Sequence, residues 1–257
     1  MEFLVITLVA FLASILTFFS GFGLGTLLLP AFALFFPIEV AVALTGVVHL
    51  LNNLFKMALI GRSADWGVIF RFGIPAIFAA VFGAWLLLQF ASDQVWITYE
   101  IGSRECVITP VKVVVAFLMI GFAIFEAIPY FRKLEFSRNK LPIGGVLSGF
   151  FGGLSGHQGA LRSAFLIKCG LTKEAFIATG VMISSAIDIS RISVYFTRFS
   201  DIRMEENLTL LGVAILSAFA GAVIGKKLLT KITIDLVHNV VIVMIIIMGV
   251  LIGLGIL

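Results

Sequence analysis

Stretches without a single Asp, Glu, Lys or Arg recur along the whole chain. Most approach or exceed the ~20 apolar residues with which a helix crosses a bilayer. Between them Lys and Arg collect in short polar segments, as they do in loops at a membrane surface. This alternation predicts an all-α polytopic membrane protein. The uncharged stretches are 3–38, 40–55, 72–92, 113–125, 207–225 and 236–257.

The first uncharged stretch is too long for one ordinary span. Its 36 residues would form a straight helix of ~54 Å, against a hydrocarbon core of ~30 Å. A break is expected at 20–25, because glycines at 21, 23 and 25 weaken a helix and permit positive φ. The second half has a similar glycine-rich segment at 152–159. Each segment therefore predicts two short helices that flank an unwound loop.

The chain also resembles itself at an offset of 135 residues. This offset aligns Phe-Ser-Gly at 19–21 with Leu-Ser-Gly at 154–156. It also pairs Asn53 with Asp188, and Lys56 with Arg191. We infer two membrane repeats, 1–135 and 136–257, that share one scaffold.

The distribution of basic residues indicates whether each broken segment returns to its starting face. If both return, twelve Lys and Arg lie on one side and four on the other, whereas crossing segments would give nine against seven. The positive-inside rule favours the returning hairpins and makes the richer side cytoplasmic. The twelve are Lys56, Arg62, Arg71, Arg132, Lys133, Arg138, Lys140, Lys168, Lys173, Lys226, Lys227 and Lys231, and the four are Arg104, Lys112, Arg198 and Arg203.

Each half is then a broken-helix hairpin followed by three transmembrane helices, and the second half enters from the opposite face. Inverted-topology repeats of this kind are typical of secondary transporters. Both termini are expected outside the cell inner (plasma) membrane, together with residues 91–110. Alternating residues on either side of Gly102 predict a short extracytoplasmic β-hairpin in that segment.

Composition narrows the classes of function. With 61% hydrophobic and 12% charged residues, the chain has too much apolar material for a water-soluble core. The net charge of +4 arises from loop residues, so we expect the lipid bilayer rather than nucleic acid as a partner. Two cysteines exclude a cysteine-rich metal cluster, and we expect no cofactor. The N-terminus lacks a basic region and a cleavage site, so the first apolar segment is expected to stay.

The second break carries most of the candidate chemistry. His157, Gln158, Arg162 and Ser163 are four polar residues within an otherwise apolar segment, beside Gly156 and Gly159. Unpaired amides at the N-terminal ends of broken helices bind anions, so we expect these residues to contact an anionic substrate. The equivalent candidates in the first break are Ser20, Gly21 and Gly23. Alternatively, Arg162 pairs permanently with Asp188 or Glu126, or reaches the headgroups.

Other polar residues lie within the spans. His49, Asn52 and Asn53 share one helical face, which predicts contact with substrate or with another helix. Asp188 precedes Arg191 by three residues, a spacing that allows an ion pair within one helix. Lys56 and Arg191 lie deep in their spans, where snorkelling to the far interface is expected. Four residues are candidates for coupling or for structural ion pairs: His157, Asp188, Arg191 and Lys56. Among them His157 is the candidate proton carrier, with a packed histidine as the alternative.

The sequence resembles the TauE/SafE sulfite exporters, also called the TSUP transporters, over nearly its whole length. Residues 20–25 followed by Pro30 are similar to the family's first glycine-rich segment, and 153–156 with Gly159 to its second. Residues 52–56, 65–66 and 178–195 resemble the intervening spans. The resemblance implies a secondary transporter, and an exporter, of sulfite, sulfonates or related small anions that is coupled to the proton gradient. Where the family's second segment has further glycines and a proline, this chain carries the four polar residues named above.

Three further interpretations follow from the same residues. Gly-Leu-Ser-Gly at 153–156 also matches rhomboid intramembrane serine proteases, with Ser155 as nucleophile and His49 or His238 as base. However, the equivalent Ser20-Gly21 in the first half favours a repeated backbone feature, and we expect no enzyme. An anion channel built on the same halves is another alternative. A homodimer is a further expectation.

Overall fold

The computed structural model describes residues 1–20, 24–90, 94–102, 104–132, 134–197, 207–228 and 235–257. The side chains at 18–20, 104, 132, 228, 235–238, 240 and 241 are outside this description. Within these ranges the chain is helical apart from a two-stranded hairpin. Five of the described helices are long and apolar enough to cross a membrane, as expected for an all-α polytopic membrane protein.

The first half begins with two helices at the predicted break, and three further helices, α3, α4 and α5, follow. Proline and threonine set the start of α5, because Pro110 occupies its first turn and Thr109 Oγ1 accepts from Lys112 N at 3.4 Å. A short helix, α6, ends this half. The elements are α1 (Glu2–Ser20), α2 (Leu24–Ala33), α3 (Ile38–Ile60), α4 (Trp66–Phe90), β1 (Ile97–Ile101), β2 (Arg104–Ile108), α5 (Pro110–Ala127) and α6 (Pro129–Arg132).

In its described residues, the second half has the same order of helices as the first and no strands. Its break separates α7 from α8, and Thr172 caps the following long helix by accepting from Ala175 N at 3.2 Å. Its elements are α7 (Leu141–Ser155), α8 (Gly159–Leu166), α9 (Lys173–Tyr195), α10 (Leu208–Leu228) and α11 (Asp235–Gly253).

Corresponding helices of the two halves have corresponding neighbours. α4 packs along α7, and α10 packs along α1. Likewise α3 packs on α9, and α5 on α11. Exchange of two related halves would produce this pattern, and the main apolar core lies among α1, α2, α3, α5, α10 and α11. The repeat boundary at residue 135 and the inverted orientation of the halves stay predictions.

Glycines bring α7 into backbone contact with α4. A Cβ added to Gly145, Gly149 or Gly153 would lie 2.1–2.2 Å from a carbonyl oxygen of α4, at Phe72, Ala76 or Ala80 respectively. These glycines recur at every fourth position, so they form one stripe along the helix. Small residues permit this approach of transmembrane backbones. α7, which ends at the second break, is therefore held rigidly on α4.

The β-hairpin lies at the same end of the molecule as the end of α11. β1 pairs antiparallel with β2, with Tyr99 opposite Cys106. The Tyr99 hydroxyl donates to Leu254 O at 2.6 Å, and Val107 N donates to Gly255 O at 3.2 Å. Leu59 lies before α4, whereas the hairpin follows α4, and Lys226 Nζ donates to Leu59 O at 3.3 Å. The hairpin is thus present in the expected segment, and its extracytoplasmic location stays a prediction.

Candidate functional site

The second break is a buried turn between α7 and α8. α7 ends at Gly156, which has a φ of 84° and whose N–H donates to Gly152 O at 2.9 Å. Glycine adopts this left-handed conformation without steric cost. Gln158 N then donates to Gly156 O at 3.0 Å, and α8 begins at Gly159. No side chain caps the described N-terminus of α8, so its first N–H groups are free to bind a ligand.

The start of α2 lies against this turn. A Cβ on Gly25, in the first turn of α2, would lie 3.8 Å from Gly156 O and 3.5 Å from Thr45 Cγ2. The N-terminal ends of α2 and α8 are therefore neighbours. Both ends carry the partial positive charge of a helix N-terminus, which favours an anion between them.

Arg191 projects from α9 into the break and is completely buried. Its Nε donates to Asp188 Oδ1 at 3.0 Å, and its Nη2 lies 2.9 Å from the same oxygen as an ion pair. Among the residues described, neither Nη1 nor Nη2 has a hydrogen-bond partner. Nη1 faces Gly156, where an added Cβ would approach it to 2.8 Å. Gly46 likewise leaves space beside Nη2, since a Cβ added to Gly46 would lie 3.4 Å from that atom. The expectation that Arg191 snorkels to the interface is wrong, because α9 is packed against α3 and α4 and its carboxylate partner is internal.

Asp188 joins both halves through one carboxylate. Oδ1 accepts from Arg191 and from Gln158 Nε2 at 3.2 Å. Oδ2 lies 2.6 Å from His49 Nδ1 and 3.4 Å from Asn53 Nδ2. The Asp188–Arg191 ion pair suggested by their spacing is thus present inside a larger buried network. Two hydrogen bonds from amides, the ion pair with Arg191 and the contact with His49 offset the desolvation of this carboxylate.

His157 lies on the other side of the break. Its ring stacks on Phe122, with centroids 5.6 Å apart and planes 3° from parallel, and its Nδ1 lies 3.0 Å from Ser155 Oγ. Within the described chain, neither His157 Nε2 nor Gln158 Oε1 has a hydrogen-bond partner. Buried polar atoms are normally satisfied, so these orphaned atoms indicate a place for a polar ligand or water.

The model of the family "Sulfite exporter TauE/SafE" matches residues 6–252. The chain belongs to the TauE/SafE family. It is therefore a multi-pass membrane transporter of the sulfite exporter type. Neither a curated protein nor a solved structure matches the sequence.

Lys56 and Asn52 form a separate polar cluster in this TauE/SafE protein. Lys56 Nζ donates to Thr17 Oγ1 at 3.1 Å, and Ser14 Oγ lies 3.1 Å from the Asn52 amide. With its oxygen turned toward Lys56, that amide also accepts from Nζ at 3.2 Å. Lys56 is 3% exposed, so its expected snorkelling is wrong. The expected face of His49, Asn52 and Asn53 is divided, since Asn52 points to α1 and the other two to Asp188.

Arg162 occupies a less enclosed position than Arg191 in the TauE/SafE fold. It is half-buried on α8, beside Gly180, whose added Cβ would lie 3.3 Å from Arg162 Nε. Across the described part of the chain, no ion pair connects Arg162 with Asp188, and Arg162 Nη1 lacks a hydrogen-bond partner. Ser163 lies half-buried on the same helix, and Gly159 is buried at its start. Their contact with substrate stays a prediction.

Some candidate residues fall outside the description, and others were missed in the sequence. Gly21, Gly23 and the side chain of Ser20 lie outside the described residues. Ser148, which was not predicted, donates from Oγ to Gln158 O at 3.0 Å and holds the break in place. Gly46 was also missed. Its lack of a Cβ has meaning only beside Arg191, a contact that no local sequence pattern reveals.

Proposed function

We propose that this protein exports small sulfur-containing anions, such as sulfite or organosulfonates, across the plasma membrane in a proton-coupled cycle. The family supports the transporter class. The observation that carries the substrate site is the buried Arg191, whose Nη1 faces the turn at Gly156 without a hydrogen-bond partner among the described residues. A buried guanidinium donor in this position is chemically suited to an anionic oxygen.

The surroundings of Nη1 supply further donors for the same anion. The uncapped first turn of α8 and the neighbouring start of α2 present N–H groups to the break. His157 Nε2 is buried and, within the described residues, has no other partner. An RSO3 group has three oxygens, so one can accept from the guanidinium while the others accept from amides and the imidazole. We propose that Arg191, His157 and the amides at Gly159 bind the substrate together.

Arg162 is assigned a secondary role in this proposal. It is only half-buried and lies one helical turn beyond Gln158 on α8, so it contacts the anion on its way to Arg191. Ser163 and Gly159 lie on the same path. Gln158 and Asn53 orient Asp188, and Asp188 orients Arg191, so these three are positioning residues.

The test is anion uptake by proteoliposomes across sulfite, sulfate, thiosulfate, sulfoacetate and small carboxylates. Arg191→Ala should abolish transport, because it removes the fixed cation. Arg191→Lys should lower it at least about tenfold, since an ammonium cannot reproduce the guanidinium geometry. Arg162→Ala should raise the half-saturating concentration with a smaller loss of maximal rate. Arg138→Ala, at an exposed arginine that pairs with Asp65 at 3.6 Å, is the control and should transport normally.

Two outcomes would contradict the site. If Arg191→Ala transports like the wild type while Arg162→Ala does not, the substrate cation is Arg162. If no anion in the panel moves, the substrate class is wrong. Flux that saturates with concentration and follows an imposed pH gradient supports a carrier. Flux that rises linearly and ignores that gradient supports the anion channel instead.

A specific contact also makes an intramembrane serine hydrolase a second candidate function. Ser155 Oγ lies 3.0 Å from His157 Nδ1, within the reach of a nucleophile and its base, although His49 and His238 were the bases considered from sequence. The same hydroxyl donates to Phe151 O at 3.3 Å, as helix serines commonly do. Labelling by a fluorophosphonate that is lost in Ser155→Ala would establish this activity. Absence of labelling in folded wild-type protein would exclude it.

A further inference from the structure

Two buried histidines lie beside the break, and their surroundings differ in charge. His49 Nδ1 is 2.6 Å from the carboxylate oxygen Oδ2 of Asp188. His157 Nδ1 instead meets the neutral hydroxyl of Ser155, and its ring lies flat on Phe122. A carboxylate stabilises an imidazolium in a low-dielectric interior far more than a hydroxyl does. The geometry therefore favours a proton on His49 over one on His157.

The same carboxylate connects His49 with the substrate-binding cation. Asp188 presents Oδ2 to His49 and Oδ1 to Arg191 and Gln158. Without a substrate, the charges of Arg191 and Asp188 balance and His49 is neutral. A monoanion bound at Arg191 Nη1 adds one negative charge to this buried group. One proton on His49 restores neutrality, and charge balance is strongly favoured inside a protein.

Other charged and titratable groups surround the pair. From α9, Arg191 and Tyr195 face Asp188, and the Tyr195 hydroxyl donates to Gly153 O. Arg162 approaches from α8. Lys56 lies two turns further along α3 and donates to Thr17. Among the described residues only His49 and Arg191 lie within ion-pair distance of Asp188, so His49 is the group next to this carboxylate that can take up a proton.

We propose that His49 carries the coupling proton and that Asp188 transmits the arrival of the anion to it. This inference rests on the proposed function. The proton comes from water and binds Nε2, while the Nδ1 hydrogen remains donated to Asp188 Oδ2. When the anion leaves Arg191, the imidazolium loses its compensating charge and Nε2 returns the proton to water. One proton thus moves with each monovalent anion in the same direction, so net export requires an outward anion gradient that exceeds the inward pH gradient. His157 binds substrate without carrying the proton.

The experiment compares proton flux with anion flux in proteoliposomes that contain a trapped pH dye. In His49→Gln the proton-to-anion ratio should fall at least about tenfold, which is within the range of couplings between sites. Exchange of internal for external anion should persist at a reduced rate, since it needs no net proton but loses the compensating charge on His49. In the matched variant His157→Gln the wild-type ratio should persist at whatever rate remains. In Asp188→Asn the proton-to-anion ratio and the affinity for the anion should both fall, because Asp188 contacts both His49 and Arg191.

Each result separates this inference from the proposed function. If the wild type moves no anion, the proposed function fails. If it moves anions but His49→Gln keeps the wild-type ratio, or His157→Gln loses it, the assignment to His49 is wrong. If a variant does not fold, a measurement on the wild type alone still tests the proposal. Calorimetry in buffers of different ionisation enthalpy should show about one proton taken up per methanesulfonate bound, because this sulfonate is fully ionised and takes up no proton itself. No uptake would overturn the proposal.

Discussion

Gly156 combines a left-handed backbone with open space at the Arg191 guanidinium. Gly156→Ala should cost about 1–2 kcal/mol of stability, because an L-residue is strained at a φ of 84°. It should also abolish anion transport, since the new Cβ would lie 2.8 Å from Nη1. Transport and the unfolding temperature of the purified variant in detergent are the two measurements.

A second glycine, Gly170, distinguishes the effect of backbone strain from the effect of filling the space beside Arg191. Gly170 has a φ of 70°, and an added Cβ there would meet no described residue within 4 Å. Gly170→Ala should therefore lower the unfolding temperature about as much as Gly156→Ala and leave transport intact. Equal transport in the two variants would show that Gly156 matters only for the turn and not for the space beside Arg191.

At the residue scale, the sequence predicts chemistry that is local and misses partners that are distant. The turn at 152–159 was predictable because glycine acts through its own φ and ψ. The Asp188–Arg191 pair was suggested by a spacing of three. The contact between His49 and Asp188 spans 139 residues, so no spacing rule applies to it. Because that contact could not be predicted, the sequence suggested that Arg191 snorkels to the interface, whereas it lies at the centre of a buried network.

At the scale of elements, the glycine stripe of α7 positions the break. Gly149→Ala should destabilise the protein by about 1–3 kcal/mol, as overpacking in a tight core does, because the new Cβ would lie 2.1 Å from Ala76 O. A fall in the unfolding temperature in detergent is the readout. Transport should fall with it, since α7 carries Ser148 and the turn at Gly156.

Gly212 provides the matched control for that substitution. It lies within helix α10, and an added Cβ would meet nothing within 4 Å in the part of the chain described. Gly212→Ala should be neutral or stabilising by up to about 1 kcal/mol, because alanine favours helix more than glycine. If Gly149→Ala behaves like Gly212→Ala, α4 and α7 are not in the close contact that the fold shows.

The helices themselves were more predictable than their neighbours. Uncharged length and proline or threonine at the ends, as at Thr109 and Thr172, are read directly from the chain. Which face of α7 meets α4 depends on geometry between helices that are some seventy residues apart in sequence. Among the described elements, each half has two helices at its break and three further helices after it. The repeat and the orientation of those elements stay predictions that need an experiment.

At the scale of the whole molecule, hydrogen bonds at two ends of the fold define the two sides whose membrane orientation can be tested. The hairpin follows α4, and Tyr99 joins it to Leu254 at the end of α11. Leu59 precedes α4, and it accepts from Lys226 at the end of α10. The excess of basic residues at the second end predicts that it is cytoplasmic. The native thiols of Cys106 and Cys169 are buried, so an impermeant reagent should label them little, and the wild type serves as the background for single added cysteines.

Thr98→Cys in β1 and Ser63→Cys after α3 place one exposed thiol at each end of α4. A membrane-impermeant maleimide should label Thr98→Cys in intact spheroplasts and Ser63→Cys only after permeabilisation. The opposite pattern would reverse the orientation and contradict the count of basic residues, without changing the fold. Labelling of both from the same side would mean that α4 does not cross the membrane. Since α4 supports the whole length of α7, that result would also displace the break at Gly156 from the membrane interior, and with it the substrate site.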